Sequence, residues 1–178
     1  MITLAGSPTL QTDRLVLRAP QAGDWPVFRD FLGHPRSTFI RDGDTLDDAK
    51  IWRAFCHITG TWVARGYGSF VITRKGEDTA LGLTGPWHPI EWPERELGWT
   101  IWSEAAEGQG IAFEAATAAR AHVFRDLGWK TAVSYIDPDN ARSIALAKRL
   151  GCTPDAKAPF PGKGPCLVYR HPDPGGRA

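Results

Sequence analysis

The chain is poor in the residues that would tie it together covalently. Three cysteines, Cys56, Cys152 and Cys166, stand among 178 residues. An odd number so widely spaced fits reduced thiols rather than a disulfide framework or a metal site. Charge of one sign is lacking too. Lys and Arg number 21 against 20 Asp and Glu, a formal net charge of +1, without the basic excess that nucleic-acid binding uses. No apolar run reaches the length that crosses a bilayer. The opening M-I-T-L-A-G-S-P-T-L has neither a basic region nor a long apolar core, so no signal peptide is read and a cytoplasmic location is expected. No His, Cys or carboxylate cluster has metal spacing. Repeats and linkers are missing as well. One domain over residues 1–178 is therefore expected, with 42% hydrophobic content to build its core.

Tryptophan, by contrast, is plentiful: eight residues, among which Trp87, Trp92, Trp99 and Trp102 fall close together. They overlap the stretch around which the chain is organised, residues 96–119, E-L-G-W-T-I-W-S-E-A-A-E-G-Q-G-I-A-F-E-A-A-T-A-A. Leu97, Trp99 and Ile101 alternate with Glu96, Gly98 and Thr100, the period of a strand. From Ile111 the period becomes four, through Ala115, Ala119, Val123 and Leu127, one face of a helix. A strand that enters a helix through a glycine turn, here Gly108 and Gly110, presents free backbone N–H groups and the positive end of a helix dipole. A phosphate is favourable there. The turn is neither familiar nucleotide loop: no Lys-Ser/Thr follows its last glycine, and a dinucleotide fingerprint needs a third glycine. A plain strand-to-helix connection is the other reading of these residues alone.

Taken in order, residues 12–19 alternate as a first strand, ended by Pro20 and Gly23. Asp24 reads as an N-cap, with Pro26 in the first turn of a short helix. Residues 36–45 read as a polar loop, and Asp47 and Asp48 open a helix that runs to Gly66. Strands follow at 68–74 and 80–84, then a proline-rich loop at 85–94. After the central strand and helix, which Gly128 ends, come a strand at 131–136, a helix at 141–150 and a strand at 166–170. The remaining H-P-D-P-G-G-R-A reads as a frayed end. The order β-α-α-β-β-β-α-β-α-β implies an antiparallel meander joined to one parallel pair by a right-handed crossover. The sheet is therefore mixed and the class α/β or α+β.

Several of these segments, in this order, resemble the GNAT N-acetyltransferase superfamily, and within it the ribosomal-protein N-acetyltransferase-like (Rim-type) branch. Thr12-Asp13-Arg14-Leu15-x-Leu17-Arg18 resembles that branch's opening strand, T-x-R-L-x-L-R. Glu107-Gly108-Gln109-Gly110-Ile111-Ala112 resembles the phosphate-binding turn Q/R-x-x-G-x-G/A, and Glu114-Ala115 the E-A that follows it. Asn140-x-x-Ser143 and Leu150-Gly151-Cys152 resemble the late N-x-x-S … L-G-F signature. There are departures. Glu107 stands where Gln or Arg is usual, so backbone amides are expected to hold the phosphates. Ala147 stands where many members carry a Tyr that protonates the leaving thiolate. Cys152 replaces Phe, which reads as a packing change.

The resemblance implies a mixed, mostly antiparallel sheet of six to seven strands with helices on both faces, splayed between strands 97–102 and 131–136. It implies acetyl transfer from acetyl-CoA, with no metal, to a primary amine: a protein N-terminus, an amino acid or a small amine. A catalytically weak CoA-binding regulatory or scaffold protein is the alternative. No nucleic-acid or membrane partner is implied, and a homodimer is possible. The pyrophosphate would lie on Gly108, Gln109, Gly110, Ile111 and Ala112, and the pantetheine along the backbone of Trp99, Thr100, Ile101 and Trp102. Glu96 is the leading base, or else a surface carboxylate beside Arg95 or Arg74. Asn140 bonds the pantetheine amides, caps its helix, or does both. Ser143 protonates the thiolate or bonds the cofactor, or is an ordinary first-turn serine. Tyr135 is a substitute acid or a core tyrosine; its neighbour Ser134 is the other candidate to face the splay. Trp87, His88 and Trp92 are expected on the acceptor side, with core packing and an exposed loop as their plainer readings. Asp42, Asp44, Asp47 and Asp48 either attract a cationic acceptor or form a solvated helix start.

Overall fold

The computed structural model describes residues 6–41, 46–162 and 164–172. Its strands are β1 (Leu10–Gln11), β2 (Leu15–Arg18), β3 (Phe70–Arg74), β4 (Gly82–Trp87), β5 (Glu96–Ile101), β6 (Val133–Ile136), β7 (Thr153–Pro154) and β8 (Leu167–Arg170). Its α-helices are α1 (Trp25–Gly33), α2 (Asp48–Arg65), α3 (Ile111–Arg125) and α4 (Ala141–Arg149). The strands form one sheet in the order β1-β2-β3-β4-β5-β6-β8-β7. Neighbours pair antiparallel except β5 and β6, which are parallel across the α3 crossover. Among the described residues the sheet has eight strands, where six to seven were expected. The additions, β1 and β7, are two-residue edge pieces, too short to display a period.

Strand alternation sorts the core into two layers. Leu15, Leu17, Phe70, Ile72 and Leu97 turn to one face, against Ile111, Ala115, Ala119 and Val123 of α3. Val71 turns to the other, against Phe28, Phe31 and Leu32 of α1 and Ile51, Phe55 and Ile58 of α2. Helix α4 joins the α3 side, where Ala147 and Leu150 pack on Ala116, Ile136 and Tyr169. With helices on both faces, β3 is buried from Phe70 to Thr73.

Four local expectations give way to tertiary structure. Asp24 precedes α1, but its side chain makes no cap; the buried carboxylate instead accepts from both ends of the Arg18 guanidinium at 2.8 Å and from the Gln21 N–H at 2.7 Å. A buried charge is stabilised more by a two-pronged arginine than by one cap. Residues 35–40 are not loop but a 3-10 helix, started by His34, whose ring nitrogen accepts from the Arg36 N–H. Strand β4 runs on through Gly85, Pro86 and Trp87, which were read as loop. Proline is tolerated because β3 pairs only as far as Thr84, leaving β4 an edge on that side. His171, assigned to a frayed end, is 4% exposed, with its N–H on the Ala132 carbonyl at 2.9 Å.

Two features position the site. The first is a clasp between the N-terminal strand segment and α3. Glu114 accepts from the Thr12 hydroxyl at 2.5 Å, from the Arg14 N–H at 3.1 Å and from the Arg14 guanidinium at 2.7 Å, while Arg14 also donates to the Gln109 carbonyl. The second is the parting of β5 from β6. They share one register, Glu96 opposite Val133, and then diverge.

Close backbone approach elsewhere in the sheet gives a test of the fold. A Cβ on Gly82 would meet the Thr100 carbonyl oxygen at 2.2 Å, whereas one on Gly23 meets nothing within 4 Å. Gly82→Ala should lower the unfolding free energy by about 2–3 kcal/mol. Gly23→Ala should leave it nearly unchanged in the same denaturant titration.

Candidate active site

In a strand, the N–H and C=O of one residue point to the same neighbour, and successive residues alternate. The Arg95 carbonyl accepts from Val133 N–H and the Leu97 carbonyl from the Ser134 hydroxyl, both on the β6 side. The Gly98 carbonyl accepts from Thr84 on the β4 side. By this alternation Trp99 and Ile101 direct their backbone groups into the opening between β5 and β6. Gly98 and Thr100 direct theirs to β4. The Trp102 N–H is engaged with the Leu81 carbonyl at 2.8 Å, and its side chain is buried against Phe28. Of the four backbone positions named from the sequence, Trp99 and Ile101 point into the opening, and Thr100 and Trp102 do not.

A cavity of about 380 Å³ lies where this edge meets the glycine turn and α4. Its walls include Trp99, Thr100, Ile101, Gly108, Gly110, Ile111, Ala112, Asn140 and Ser143. Gly108 and Gly110 have φ of 71° and 75°, the left-handed region where glycine is at home. Gly110 caps α3, and the first bond within that helix runs from Glu114 N–H to Gly110 O, so the N–H groups of Ile111, Ala112 and Phe113 have no helical acceptor. Gln109 does not line the cavity; its side chain accepts from Arg74 at 2.6 Å and donates to the Ala105 carbonyl. Glu107 lines the rim as half of an ion-paired bridge, accepting from Arg36 at 2.6 Å and from Arg142 at 2.5 Å. Arg149 stacks on Phe113 with its guanidinium 4.0 Å from the ring centroid and also lines the cavity. Sequence reasoning missed these three arginines. Arg142 and Arg149, seven apart on one helix face with Leu146 between, carried a readable signal; Arg36 did not.

Asn140 caps α4, its side-chain oxygen accepting from Ser143 N–H at 3.1 Å. The Ser143 hydroxyl accepts from the Trp99 indole at 3.2 Å. Indole only donates, so Ser143 keeps its own proton to give. Ala147 is fully buried in the α4 core, away from the cavity lining.

Glu96 sits at the other end of β5, with its carboxylate near Gly98 rather than at the cavity wall. It accepts from the Trp92 indole at 2.6 Å, and the nearby Tyr135 backbone N–H also favours its ionised form. Desolvation dominates these bonds and pushes its pKa up to about 7. The ring of Tyr135 lies edge-on to Trp92, 6.4 Å between centroids. Burial, with Glu94 and Glu96 nearby, pushes its hydroxyl up to about 12. That hydroxyl is buried without a hydrogen-bond partner among the described residues; the Glu94 backbone approaches it but falls outside bonding geometry. Ser134 points the opposite way, to the α3 side.

The four neighbouring tryptophans therefore divide. Trp92 holds Glu96, and Trp87 lies against His57 at 4.8 Å. Trp99 is on the cavity side, and Trp102 is core. His88 is half-buried, and desolvation with Arg65 nearby holds its pKa below the usual value. Asp47 caps α2 and Asp48 pairs with Arg29 at 2.6 Å, which is the helix-start reading. Asp42 and Asp44 lie outside the described residues. Among the described residues, no group of His, Cys, Asp and Glu is arranged to hold a metal, and no helix is long and apolar enough to cross a membrane.

Comparison with known proteins gives this geometry a context. The family model of the acetyltransferase (GNAT) domain matches residues 14–153. The solved structure of an acetyltransferase from Agrobacterium tumefaciens str. C58 is similar at 39% identity, with 96% of this chain and 98% of that one covered and a TM-score of 0.86. A candidate GNAT-family acetyltransferase from Bordetella pertussis is similar at 26% identity, covering 93% and 99%, with a TM-score of 0.74. A ribosomal-protein alpha-N-acetyltransferase of the RimL type, in complex with coenzyme A, shares the fold at 17% identity, covering 92% and 97%, with a TM-score of 0.69. No curated protein sequence matches.

The carboxylate at the end of β5 yields a test of its surroundings. The folded pKa of Glu96 is raised from 4.5 to about 7, so the folded state holds the proton more tightly. Its contribution to stability is full below 4.5 and is lost as pH rises to about 7. Glu96→Gln should therefore gain thermal stability over the parent at pH 8 and not at pH 4. Trp92→Phe removes a bond to the ionised form and should move the Glu96 carboxyl titration, followed by 13C NMR, still higher.

Proposed function

The chain belongs to the acetyltransferase (GNAT) family, and we propose that it transfers an acetyl group from acetyl-CoA to a primary amine, acting as a Rim-type N-acetyltransferase. The observation that carries this reading is the cavity itself, which joins a glycine turn at a helix N-terminus to the unpaired edge of a central strand. Those two features fit the two ends of a phosphopantetheine. The free N–H groups from Gly108 to Phe113 suit a pyrophosphate, and Arg142 and Arg149 add charge beside it. The backbone of Trp99 and Ile101 suits the amides of a pantetheine arm, as an added strand would. Asn140 uses its oxygen as a cap and keeps its amide N–H to donate.

The thioester supplies the activated acetyl group; the chain supplies orientation and proton handling. Glu96, poised near neutrality, takes a proton from the acceptor ammonium, through water where the distance requires it. The neutral nitrogen then forms a bond to the acetyl carbon as the carbon–sulfur bond breaks. A backbone N–H of the open β5 edge stabilises the charge that develops on the acetyl oxygen. The departing sulfur needs a proton that Ala147 does not offer. Ser143, whose oxygen accepts from Trp99, can pass one on, giving its hydroxyl proton to the sulfur and recovering the second proton that the attacking nitrogen sheds as it becomes an amide. Tyr135, protonated up to about pH 12, is the second donor. The acceptor approaches from the side of Trp87, His88 and Trp92. A protein N-terminus, an amino acid and a small amine all present the required nitrogen. The setting is cytoplasmic, with no nucleic acid, membrane or metal involved.

Release of free thiol from acetyl-CoA across a panel of amines and N-terminal peptides tests the proposal. Glu96→Gln should lower kcat about 100-fold and leave the affinity for CoA nearly unchanged. If acetyl-CoA raises the melting temperature and no amine is acetylated, the reading of a CoA-binding regulatory protein replaces this one. If it does not bind at all, both fall.

A further inference from the structure

Cys152 and His171 were left by sequence reasoning as a packing substitution and part of a frayed tail. The structure brings them together. The Cys152 sulfur lies 3.3 Å from His171 Nδ1, and His171 Nε2 lies 2.9 Å from the Ser134 hydroxyl. That hydroxyl is 2.6 Å from the Leu97 carbonyl oxygen. The three residues are 6%, 4% and 2% exposed. They come from distant elements: Cys152 just beyond α4, His171 just beyond β8 and Ser134 on β6.

The direction of the chain follows from what each group can do. A carbonyl only accepts, so Ser134 donates its hydroxyl proton to Leu97. The serine oxygen then accepts from His171, which must carry its proton on Nε2. A neutral imidazole has one N–H, so Nδ1 accepts, and the Cys152 thiol is the donor. Burial with Arg120 nearby drives the His171 pKa down to about 3, and burial raises that of Cys152 to about 11, so both stay neutral at ordinary pH. The bonds all run one way, which strengthens each.

The chain ends where β5 and β6 part. Their shared register is Glu96–Val133, and the Ser134–Leu97 bond is the next tie along. Beyond it lie Trp99 and Ile101, whose backbone groups face the cavity. The edge-on contact of His171 with the Trp99 ring, at 6.2 Å between centroids, reaches the same point from the side. Trp99 in turn donates to Ser143.

We propose that Cys152, His171 and Ser134 form a one-way hydrogen-bond relay that fixes the apex of the strand opening, with His171 a positioning residue for the donor-binding edge of β5. The inference rests on acetyl-CoA being the ligand of that edge. The relay sets the direction of the Leu97 peptide and the tilt of the Trp99 ring, and so the spacing between β5 and α4. It takes no part in proton transfer at Glu96.

Calorimetry with CoA, steady-state kinetics and 15N NMR of the full chain test it together. Ser134→Ala should raise the CoA dissociation constant and the KM for acetyl-CoA about tenfold. The Glu96-dependent limb of the pH profile should not move, and Ser134→Thr should restore most of the affinity. Cys152→Ser keeps a donor to Nδ1 and should bind as the parent does; Cys152→Ala should weaken binding. The His171 ring should titrate as the Nε2–H tautomer, neutral at pH 6. A folded Ser134→Ala with parental affinity, or an Nδ1–H tautomer, overturns the relay. If Ser134→Ala does not fold, the two Cys152 variants decide, and equal affinity in both overturns it. A parent chain that binds no CoA overturns the preceding functional reading instead, and the tautomer then tests the relay's direction alone.

Discussion

The structure depends on one pairing that stops early. Strands β5 and β6 are tied at a single parallel register, at the centre of an otherwise continuous sheet. Backbone N–H and C=O groups inside a fold carry a cost when nothing bonds them. A central strand is the place where this is usually avoided. Here the open edge persists because its surroundings are over-determined. β4 holds β5 along its other side through six paired residues. Helix α3 packs beneath it, and the Thr12–Arg14–Glu114 clasp fixes the turn from which α3 starts. The sheet can therefore leave a slot without collapsing into it.

Charge at the rim follows from the same slot. A carboxylate beside a turn proposed to hold a phosphate is unfavourable unless neutralised, and Glu107 is neutralised twice, by Arg36 and Arg142. These come from opposite walls, the 3-10 helix at residues 35–40 and α4. Glu107 thus cross-links the walls of the cavity, with Arg149 adding a further positive charge. A departure from the family pattern that looks wrong for an anion site becomes a structural pin once its partners are counted.

Local patterns made much of this legible. The switch from a two-residue to a four-residue period at Ile111 made strand, turn and helix readable, because the helix buries one face, Ile111, Ala115, Ala119 and Val123, and leaves Thr117, Ala121 and Arg125 exposed. The Thr-x-Arg-Leu and Glu-Ala motifs could be recognised separately, but only the fold makes Thr12 and Arg14 partners of Glu114. The tryptophans were legible as a group and not as individuals. Trp99 and Trp102 belong to different sides because they are three residues apart on an alternating backbone, which places Trp102 with Thr100. His171 was hidden by neighbouring prolines and glycines that suggest a disordered tail. Its role depends on Cys152 and Ser134, 19 and 37 residues away, and no periodicity reports a contact of that kind. The continuation of β4 through Pro86 was hidden for a related reason. Proline argues against a strand only where its N–H would be needed, and that need depends on where β3 ends.

The remaining polar groups at the site are under-satisfied, and their positions have a common logic. Arg36 Nε and the Tyr135 hydroxyl are buried without hydrogen-bond partners among the described residues. The backbone of Trp99 and Ile101 faces an opening with no strand across it. Each such group costs about 1–3 kcal/mol when left unbonded, and a fold built for stability alone would pair or replace them. They are not scattered. Arg36 lines the cavity, Trp99 and Ile101 form its open edge, and Tyr135 stands by Glu96 beyond the edge's far end. Between these ends, Glu96 is kept desolvated enough to hold a proton near neutral pH, yet within reach of the Trp92 indole and the Tyr135 amide, which favour its release. Under the proposed acetyl transfer, these unmet donors form the path of the extended ligand, and the carboxylate balanced between two protonation states is the end where the proton moves. Under that reading, the stability forgone along the line is what the ligand restores.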